Sequence, residues 1–248
     1  MLWLNHLRFS GRKFGGYTIE KVAGEGRYGI CFNAYSNRGA RVIIKWFKSS
    51  SIKSDKKRTA VEADILSKID HFSIPKLLGV INEKGGHGLI LEEKLGDTVE
   101  SMLFKHRHQF SRKEIFRMVS QLVDIIWYLH DRGIIHGDIR PPNVIINNGV
   151  VYLIDFGLSR RVDYDKNTFD IDFSYLGEFL LYLLYSSFKS KKYKKFAWYN
   201  ELYLLPKQKI LLKRLLRLEK PYENIREVAD DFHQAFGCEE EINYIENS

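Results

Sequence analysis

The chain has 248 residues, 44% of them hydrophobic and 14% aromatic, which excludes a disordered chain and permits one large domain or two small lobes. Its formal net charge of +8 favours an anionic partner. Charge alone does not distinguish whether that partner is a nucleotide, a nucleic acid or a membrane surface. Two cysteines, Cys31 and Cys238, are too few for a disulfide framework or a four-cysteine zinc site. Residues 1–16 lack the apolar core of a signal peptide. The most hydrophobic segment, residues 175–188, is too short for a membrane span. We therefore predict a cytoplasmic protein.

Up to about residue 93 the pattern is mostly that of β-strands separated by glycine-rich or polar turns. The predicted strands are YTIEKVA, GICFNAYS, ARVIIKWF, PKLLGVINE and HGLILEE. One helix interrupts them over about 55–69, where Val61, Ile65 and Ile69 form one apolar stripe.

From residue 96 onward the pattern becomes helical. Ser111 and Glu114 form a capping box for a long helix, and Gly133 follows as a stop signal. Apolar side chains recur along this helix at spacings of three and four: Ile115, Val119, Leu122, Ile126 and Leu129. Two strands, NVIIN and VVYLI, are joined by the turn NNG, and helices then run to about residue 236. A β-rich part joined to a helical part predicts two lobes with a cleft between them.

The front part carries a glycine motif, GEGRYG, with Gly24, Gly26 and Gly29. Glycines allow backbone N–H groups to approach a phosphate, although a plain β-turn explains the motif equally well. Lys45 ends the following strand, where it could meet phosphates or simply be solvated. Glu62 lies in the middle of the helix, either as a surface residue or as an ion-pair partner that holds Lys45 in position.

The back part carries two polar stretches between apolar flanks, IIHGDIRPPNV (134–144) and IDFG (154–157). Asp138 could handle a proton and Asn143 could hold a metal, while a structural loop is the alternative. Asp155 lies 12 residues after Asn143, and the strand pair between them can return it beside the 138–143 loop. Two such oxygen ligands suit Mg²⁺, which completes its shell with phosphate and water.

The joint order of these motifs is more specific than any one of them. A glycine-rich turn, Lys45, Glu62, H-x-D-x-x-x-x-N and D-F-G together make up the protein-kinase signature. The chain resembles a eukaryotic-type protein kinase from about Tyr17 to Phe236, and DIDFSYLGEFLLYLL resembles the buried central helix of that family, with Asp172 as its anchoring aspartate.

The resemblance implies an α+β, bilobal protein-kinase-like fold in a single kinase domain. A β-rich N-lobe with one helix would cover residues 17–93. A mostly helical C-lobe would cover 94–236, and an acidic tail would follow over 237–248.

The resemblance also implies the cofactors ATP and Mg²⁺ and a role for each motif. Asp138 would orient the attacking hydroxyl and accept its proton, Asn143 and Asp155 would bind Mg²⁺, and Lys45 would contact the α- and β-phosphates. Arg140 occupies the position where serine/threonine kinases carry a lysine near the γ-phosphate.

Adenine recognition follows from the same resemblance. The base would meet the connecting strand near Glu92 to Lys94, with Leu91 facing the back of the pocket. His136 would be structural.

The chain departs from the family around the acceptor. Gly137 replaces the arginine of H-R-D, which in the family receives an activation-loop phosphate. Asp155 and Asp172 are only 17 residues apart, and no A-P-E motif occurs between them. Pro142 and the lack of an acidic cluster remove one common way of choosing basic peptides.

These departures predict activity without prior phosphorylation of the segment before Asp172. The available acceptors in that segment are Ser159, Tyr164 and Thr168.

Residues 189–217 form a basic patch with ten Lys or Arg against Glu201. A solvated loop is one interpretation. The other is a docking surface for an acidic protein, a nucleic acid or a membrane face.

The function predicted from the sequence is an ATP-dependent serine/threonine protein kinase acting on a protein substrate. A small-molecule kinase with the same core is the first alternative. A partner-binding pseudokinase is the second, and the intact set of Lys45, Glu62, Asp138, Asn143 and Asp155 argues against it.

Overall fold

The computed structural model describes residues 9–26, 29–48, 53–83, 86–162, 169–188 and 196–237. They divide into two compact units. The first comprises the residues up to Lys94 together with Phe156–Leu158, and the second comprises Leu95–Asp155 and the residues from Ser159 onward. The division falls after Lys94, one residue later than the predicted lobe boundary.

The first unit is built on one antiparallel sheet. Its strands are β1 (Lys13–Phe14), β2 (Tyr17–Glu25), β3 (Gly29–Ser36), β4 (Arg41–Lys48), β5 (Leu77–Glu83) and β6 (Gly86–Glu92). Their order in the sheet is β1-β2-β3-β4-β6-β5. The five predicted strands are present, and the short β1 precedes them.

One face of this sheet forms an apolar core. Alternating side chains of neighbouring strands are buried there, among them Phe32 of β3 and Trp46 of β4. Phe9 and Phe14 pack against this face, with the Phe9 ring centroid 5.1 Å from that of Phe32. The opposite face therefore remains for the polar residues that alternate with the core residues, including Lys45.

Helix α1 (Lys53–Ser67) lies within the same unit and begins two residues before its predicted start. Its buried side chains include Glu62, Ile65 and Leu66, whereas Val61 is 36% exposed. Successive helix residues are about 100° apart, so a face centred on Glu62 and Ile65 leaves Val61 on its flank. The prediction that Val61 belongs to the buried stripe is therefore wrong.

The second unit contains mainly helices: α2 (Arg112–His130), α3 (Asp170–Ser186), α4 (Trp198–Glu201), α5 (Pro206–Leu215) and α6 (Ile225–Phe236). Helix α2 begins at the predicted capping box, in which the Glu114 carboxylate accepts from the Ser111 N–H at 2.8 Å and the Glu114 N–H donates to the Ser111 hydroxyl. The five apolar residues predicted to share one face of α2 are all buried.

Short strands of the second unit carry the polar stretches: β7 (Asp97–Thr98), β8 (Ile134–Ile135), β9 (Val144–Asn147), β10 (Val150–Leu153) and β11 (Arg160–Arg161). Strands β9 and β10 form the predicted hairpin, with Asn148 and Gly149 at φ values of 49° and 80° as a type I′ turn requires. The pairing of Val144 with Leu153 brings the residues before β9 and after β10 to the same end of the hairpin.

In the part of the chain that the structure describes, no helix has the length and apolar character needed to cross a membrane.

Candidate active site

The glycine motif joins β2 to β3, as predicted. The Gly26 N–H donates to the Gly29 carbonyl at 2.9 Å and closes the turn, while Arg27 and Tyr28 lie outside the described residues. A Cβ on Gly24 or Gly26 would meet nothing within 4 Å, whereas a Cβ on Gly29 would lie 2.2 Å from the Trp46 carbonyl oxygen. A side chain at position 29 would therefore clash with the backbone of β4, which requires glycine there whether or not a phosphate binds.

Lys45 lies inside β4 and not at its end as predicted, opposite Cys31 on one side and Leu89 on the other. Its Nζ is 2.7 Å from Glu62 Oε1 and 2.9 Å from Oε2. The two side chains are only 11% and 2% exposed. The surface interpretation of Glu62 is thus excluded, because the structure shows a buried ion pair.

A second contact ties α1 to the sheet one turn before Glu62. Thr59 Oγ1 lies 3.2 Å from His87 Nε2, and the His87 ring stacks on Phe47 with centroids 5.3 Å apart. Since Phe47 follows Lys45 by two residues on β4, both attachments of α1 reach the same face of the sheet. The contact between Thr59 and His87 was not predicted from the sequence, where the available signal was a threonine three residues before Glu62 on the same helix.

The strand proposed to meet adenine ends in residues whose side chains have other partners. Leu91 is buried and pairs with Ile43 of β4. Lys94 Nζ lies 2.8 Å from Glu92 Oε1, so these two side chains bond to each other. Any adenine contact at Glu92 or Lys94 would use the backbone.

Asp138 lies between β8 and a 3₁₀ turn over Pro141–Asn143. Its carboxylate accepts from both Nε and Nη2 of Arg140, the latter at 2.8 Å, and from Asn143 Nδ2 at 2.7 Å. The same Nδ2 donates to the Asp138 carbonyl at 2.9 Å. The Asp138 side chain is 8% exposed and that of Arg140 is 51% exposed. The hydrogen bond from Arg140 to this carboxylate raises the pKa of Arg140, and the carboxylate is held in one orientation.

The hairpin returns Asp155 beside Asn143, as predicted, because the Ile154 N–H donates to the Asn143 carbonyl at 2.9 Å. Asp155 has a φ of 64°, in the left-handed region that residues other than glycine rarely occupy. Since the Asn143 amide nitrogen donates to Asp138, its amide oxygen is the atom left to ligate a cation. That oxygen and the exposed Asp155 carboxylate are hard ligands of the kind that Mg²⁺ takes.

No group of three or more His, Cys, Asp or Glu that could hold a metal occurs among the described residues.

Asp172 anchors the Asp138 loop from α3. It is fully buried, and its carboxylate accepts from the backbone N–H groups of His136 at 2.9 Å and Gly137 at 2.7 Å. Its Oδ2 also lies 2.9 Å from His130 Nε2. Two of these three contacts connect α3 to the two residues before Asp138, and the third connects α3 to α2.

His136 is fully buried and has its two ring nitrogens in different bonds. Nε2 lies 3.2 Å from the Ile154 carbonyl, and Nδ1 accepts from the Asp138 N–H at 3.3 Å. An acceptor nitrogen requires a neutral ring. Burial lowers the pKa of His136, although the neighbouring Asp172, Asp155 and Asp138 act in the opposite direction.

Ser159 is buried and its hydroxyl donates to the His136 carbonyl at 3.1 Å. The expectation that Ser159 is an available phosphate acceptor is therefore wrong, because its hydroxyl is part of the loop's own hydrogen bonding. Tyr164 and Thr168 lie outside the described residues.

The basic patch is only partly described, since residues 189–195 lie outside the described ranges. In the described part, Arg214 pairs with Asp231 at 2.8 Å and with Glu227 at 3.0 Å, and Lys213 pairs with Glu219 at 3.1 Å. These cations are neutralised within the chain, so nothing described supports an anionic partner, which stays a prediction.

A glycine turn, a buried lysine–glutamate pair and an aspartate loop next to two oxygen ligands are together the parts of an ATP-dependent phosphotransferase. Sequence comparison identifies the family. The chain matches the protein kinase domain over residues 17–197. It therefore belongs to the protein kinase domain family, and the predicted fold class and kinase activity are confirmed. The family implies the use of ATP.

Individual relatives differ in how much of their length the chain covers. It is 35% identical over 227 residues to "Probable serine/threonine-protein kinase YbdM" of Bacillus subtilis, covering 88% of this chain and 89% of that protein. Ribosomal protein S6 kinase alpha-2 of Homo sapiens is 30% identical over 62% of this chain, but only 22% of its own length is matched. Smooth-muscle myosin light chain kinase of Gallus gallus is 27% identical over 59% of this chain and 8% of its own length.

Proposed function

We propose that the chain transfers the γ-phosphate of ATP to serine or threonine hydroxyls of a protein, with Asp138 as the residue that orients the hydroxyl and accepts its proton. The observation that carries this role is the arrangement of Asp138, whose buried carboxylate is fixed by Arg140 and Asn143. Serine/threonine acceptance is supported by the name of the Bacillus subtilis relative and by the cation at position 140.

The remaining roles are assigned unit by unit. In the first unit, Lys45 would contact the α- and β-phosphates, held by Glu62, and Gly24, Gly26 and the backbone near Glu92–Lys94 would contact the nucleotide. In the second unit, Arg140 binds both oxygens of Asp138 and would have to turn away from them to meet the γ-phosphate with its planar fork. That movement would free Asp138 Oδ1 for the acceptor hydroxyl, while Asn143 still holds Oδ2.

Asn143 and Asp155 are proposed to hold Mg²⁺ through the amide oxygen and the carboxylate. When bound, Mg²⁺ supplies neutralisation of the phosphate charge. The chain itself positions these two ligands through the bond between Ile154 and Asn143, and it holds the Asp138 carboxylate against the Arg140 guanidinium.

The test is transfer from γ-labelled ATP to a protein mixture, with identification of the labelled amino acid. Wild type should label serine or threonine, and Asp138→Asn should lower transfer by roughly 100-fold or more, since general-base residues typically contribute that much. Asp131→Asn is the matched control, because Asp131 is an exposed aspartate seven residues away.

A metabolite panel run beside the protein mixture separates the alternatives. Labelled metabolite with unlabelled protein would replace this proposal by a small-molecule kinase. Absence of ATP binding and of all transfer would contradict the proposed chemistry.

A cytoplasmic location is proposed together with ATP as donor, and cell fractionation tests it.

A further inference from the structure

We propose that Lys94 and Glu92 form a clamp between the end of β6 and the loop over residues 68–76, and that this clamp positions the helix carrying Glu62 together with the backbone that meets adenine. Only the statement about the backbone that meets adenine rests on the proposed function; the positioning of the helix with Glu62 does not. Lys94 is a positioning residue here, since its side chain points at the loop and acts through other groups.

The clamp centres on the Lys94 ammonium. Its Nζ lies 2.9 Å from the Phe72 carbonyl oxygen and 2.8 Å from Glu92 Oε1. It also lies 5.5 Å from the centroid of the Phe72 ring. The Lys94 side chain is 7% exposed, so the ammonium has given up nearly all contact with water for these partners. A buried cation of this kind is held in place, because leaving its partners would leave the charge unsolvated.

Glu92 makes the second half of the clamp. Its Oε2 accepts from the Lys76 N–H at 3.1 Å, while its own N–H donates to the Lys76 carbonyl at 2.9 Å. The carboxylate thus bridges Lys94 and the far end of the loop. The strand end and the loop are joined at both Phe72 and Lys76.

The loop follows directly from α1 and has little slack. The Ile69 N–H donates to the Leu66 carbonyl, and Ile69 and Ile74 are both buried. Since Leu66 is one turn after Glu62, a shift of the loop is transmitted to the turn that carries Glu62.

We infer the effect of the clamp on the Lys45–Glu62 pair from the fact that both are formed in the same structure. The clamp is closed in the same structure in which Lys45 and Glu62 are bonded at 2.7 Å. The clamp therefore favours the assembled lysine–glutamate pair. An exposed pair at the junction of this helix and the loop, Asp64 with Lys68 at 49% and 56% exposure, serves as a matched control.

The experiment compares wild type with Lys94→Met, Lys94→Arg and Lys68→Met in two measurements. Methionine keeps most of the side-chain length and removes the charge, whereas arginine keeps a cation that can donate to the Phe72 carbonyl. The first measurement is steady-state kinetics in ATP with the acceptor from the labelling screen. The second is amide hydrogen exchange of residues 59–67 without ligand.

Lys94→Met should raise KM for ATP about fivefold, the lower end of typical coupling between sites, with a smaller change in kcat. It should also speed exchange in residues 59–67. Lys94→Arg should keep both the KM for ATP and the exchange rates close to those of wild type, and Lys68→Met should match wild type. A KM change without faster α1 exchange, or exchange equal to that of Lys68→Met, would overturn the clamp. If wild type transfers no phosphate at all, the proposed function fails, and the exchange comparison alone still decides for or against the clamp.

Discussion

Lys45 in the first unit and Asp138 in the second are both held by hydrogen bonds to charged partners, but through different kinds of attachment. The loop with Asp138 is hydrogen-bonded at three successive residues. His136 and Gly137 donate to Asp172, and Asp138 accepts from Asn143. Lys45 depends on Glu62, which a whole helix has to bring to the sheet. The loop is therefore part of its core, whereas we expect any shift of α1 on the sheet to break the lysine–glutamate pair.

The largest effect is expected for Asp155→Asn, which tests the second unit at its proposed metal ligand. The substitution keeps the volume and removes the charge that a hard cation prefers. Phosphoryl transfer should fall by more than about 100-fold, since even the outer-shell partners of metal sites contribute about 10- to 100-fold. Transfer rates at varied Mg²⁺ measure this, with circular dichroism as the fold control. Wild-type turnover with unchanged metal dependence would remove Asp155 from the site.

The next effect concerns the ion pair of the first unit. Lys45→Met should lower turnover on the order of 100-fold, as for loss of one preorganised electrostatic contact. Glu62→Gln should lower it by about tenfold, because it acts only through the position of Lys45. The double variant should lose little more than Lys45→Met alone. Multiplying losses would show that the two residues work independently.

A stability effect is expected for Asp172→Asn in the second unit. The two N–H groups bond to different oxygens of Asp172, so the new amide nitrogen would place a donor against the N–H of either His136 or Gly137, which costs about 3 kcal/mol of unfolding free energy. Urea unfolding measures the loss. Asp170→Asn on the same helix is the control, because Asp170 is less buried and its carboxylate lies 4.0 Å from Arg217 Nε, beyond hydrogen-bonding distance. Equal losses in both variants would show that the loop does not depend on Asp172.

A smaller effect is expected from pH at His136. Its pKa is lowered on folding from about 6.5, so the unfolded state binds the proton more readily. The stability contributed by the neutral ring is fully present above pH 6.5 and is lost as pH falls from there towards the folded-state pKa. The slope for this one group is at most about 1.4 kcal/mol per pH unit. Unfolding free energies between pH 7.5 and pH 5 should fall less steeply in His136→Gln than in wild type or in the exposed-site control His106→Gln.

The smallest effect, a change of less than about twofold, is expected for Tyr164→Phe combined with Thr168→Val. Gly137 offers no side-chain cation for a phosphate in that segment, so turnover should not depend on phosphorylation there. Ser159 stays unchanged in this variant because its hydroxyl bonds to the loop. Phosphatase-treated wild type is the parallel sample, and a tenfold loss in either would contradict this interpretation of Gly137.

The parts of the fold that the sequence predicted are those with local signals. The capping box at Ser111 and Glu114 marked the start of α2, and the turn at Asn148 and Gly149 marked the β9–β10 hairpin. Two-residue strands such as β8 have no period to detect. Val61 was misassigned because the buried face of α1 includes Glu62, a charged residue that a search for apolar spacing leaves out.

The site was predicted in part for a similar reason. The spacing of Asp138, Asn143 and Asp155 along a hairpin is a local property, so their proximity within the second unit could be inferred. The contact between Thr59 and His87 and the burial of Ser159 depend on residues distant in the sequence. Such contacts follow only from the packed structure.

Asp172 has a consequence for heat inactivation of the enzyme. A carboxylate with no exposed surface is bonded on one side to the active-site loop and belongs on the other to the central helix. Opening the loop alone would break two of the three hydrogen bonds of this buried carboxylate and leave it with His130, so we expect loop and helix core to unfold as one cooperative unit. On warming, we therefore expect phosphoryl transfer and the fold of the second unit to be lost at the same temperature.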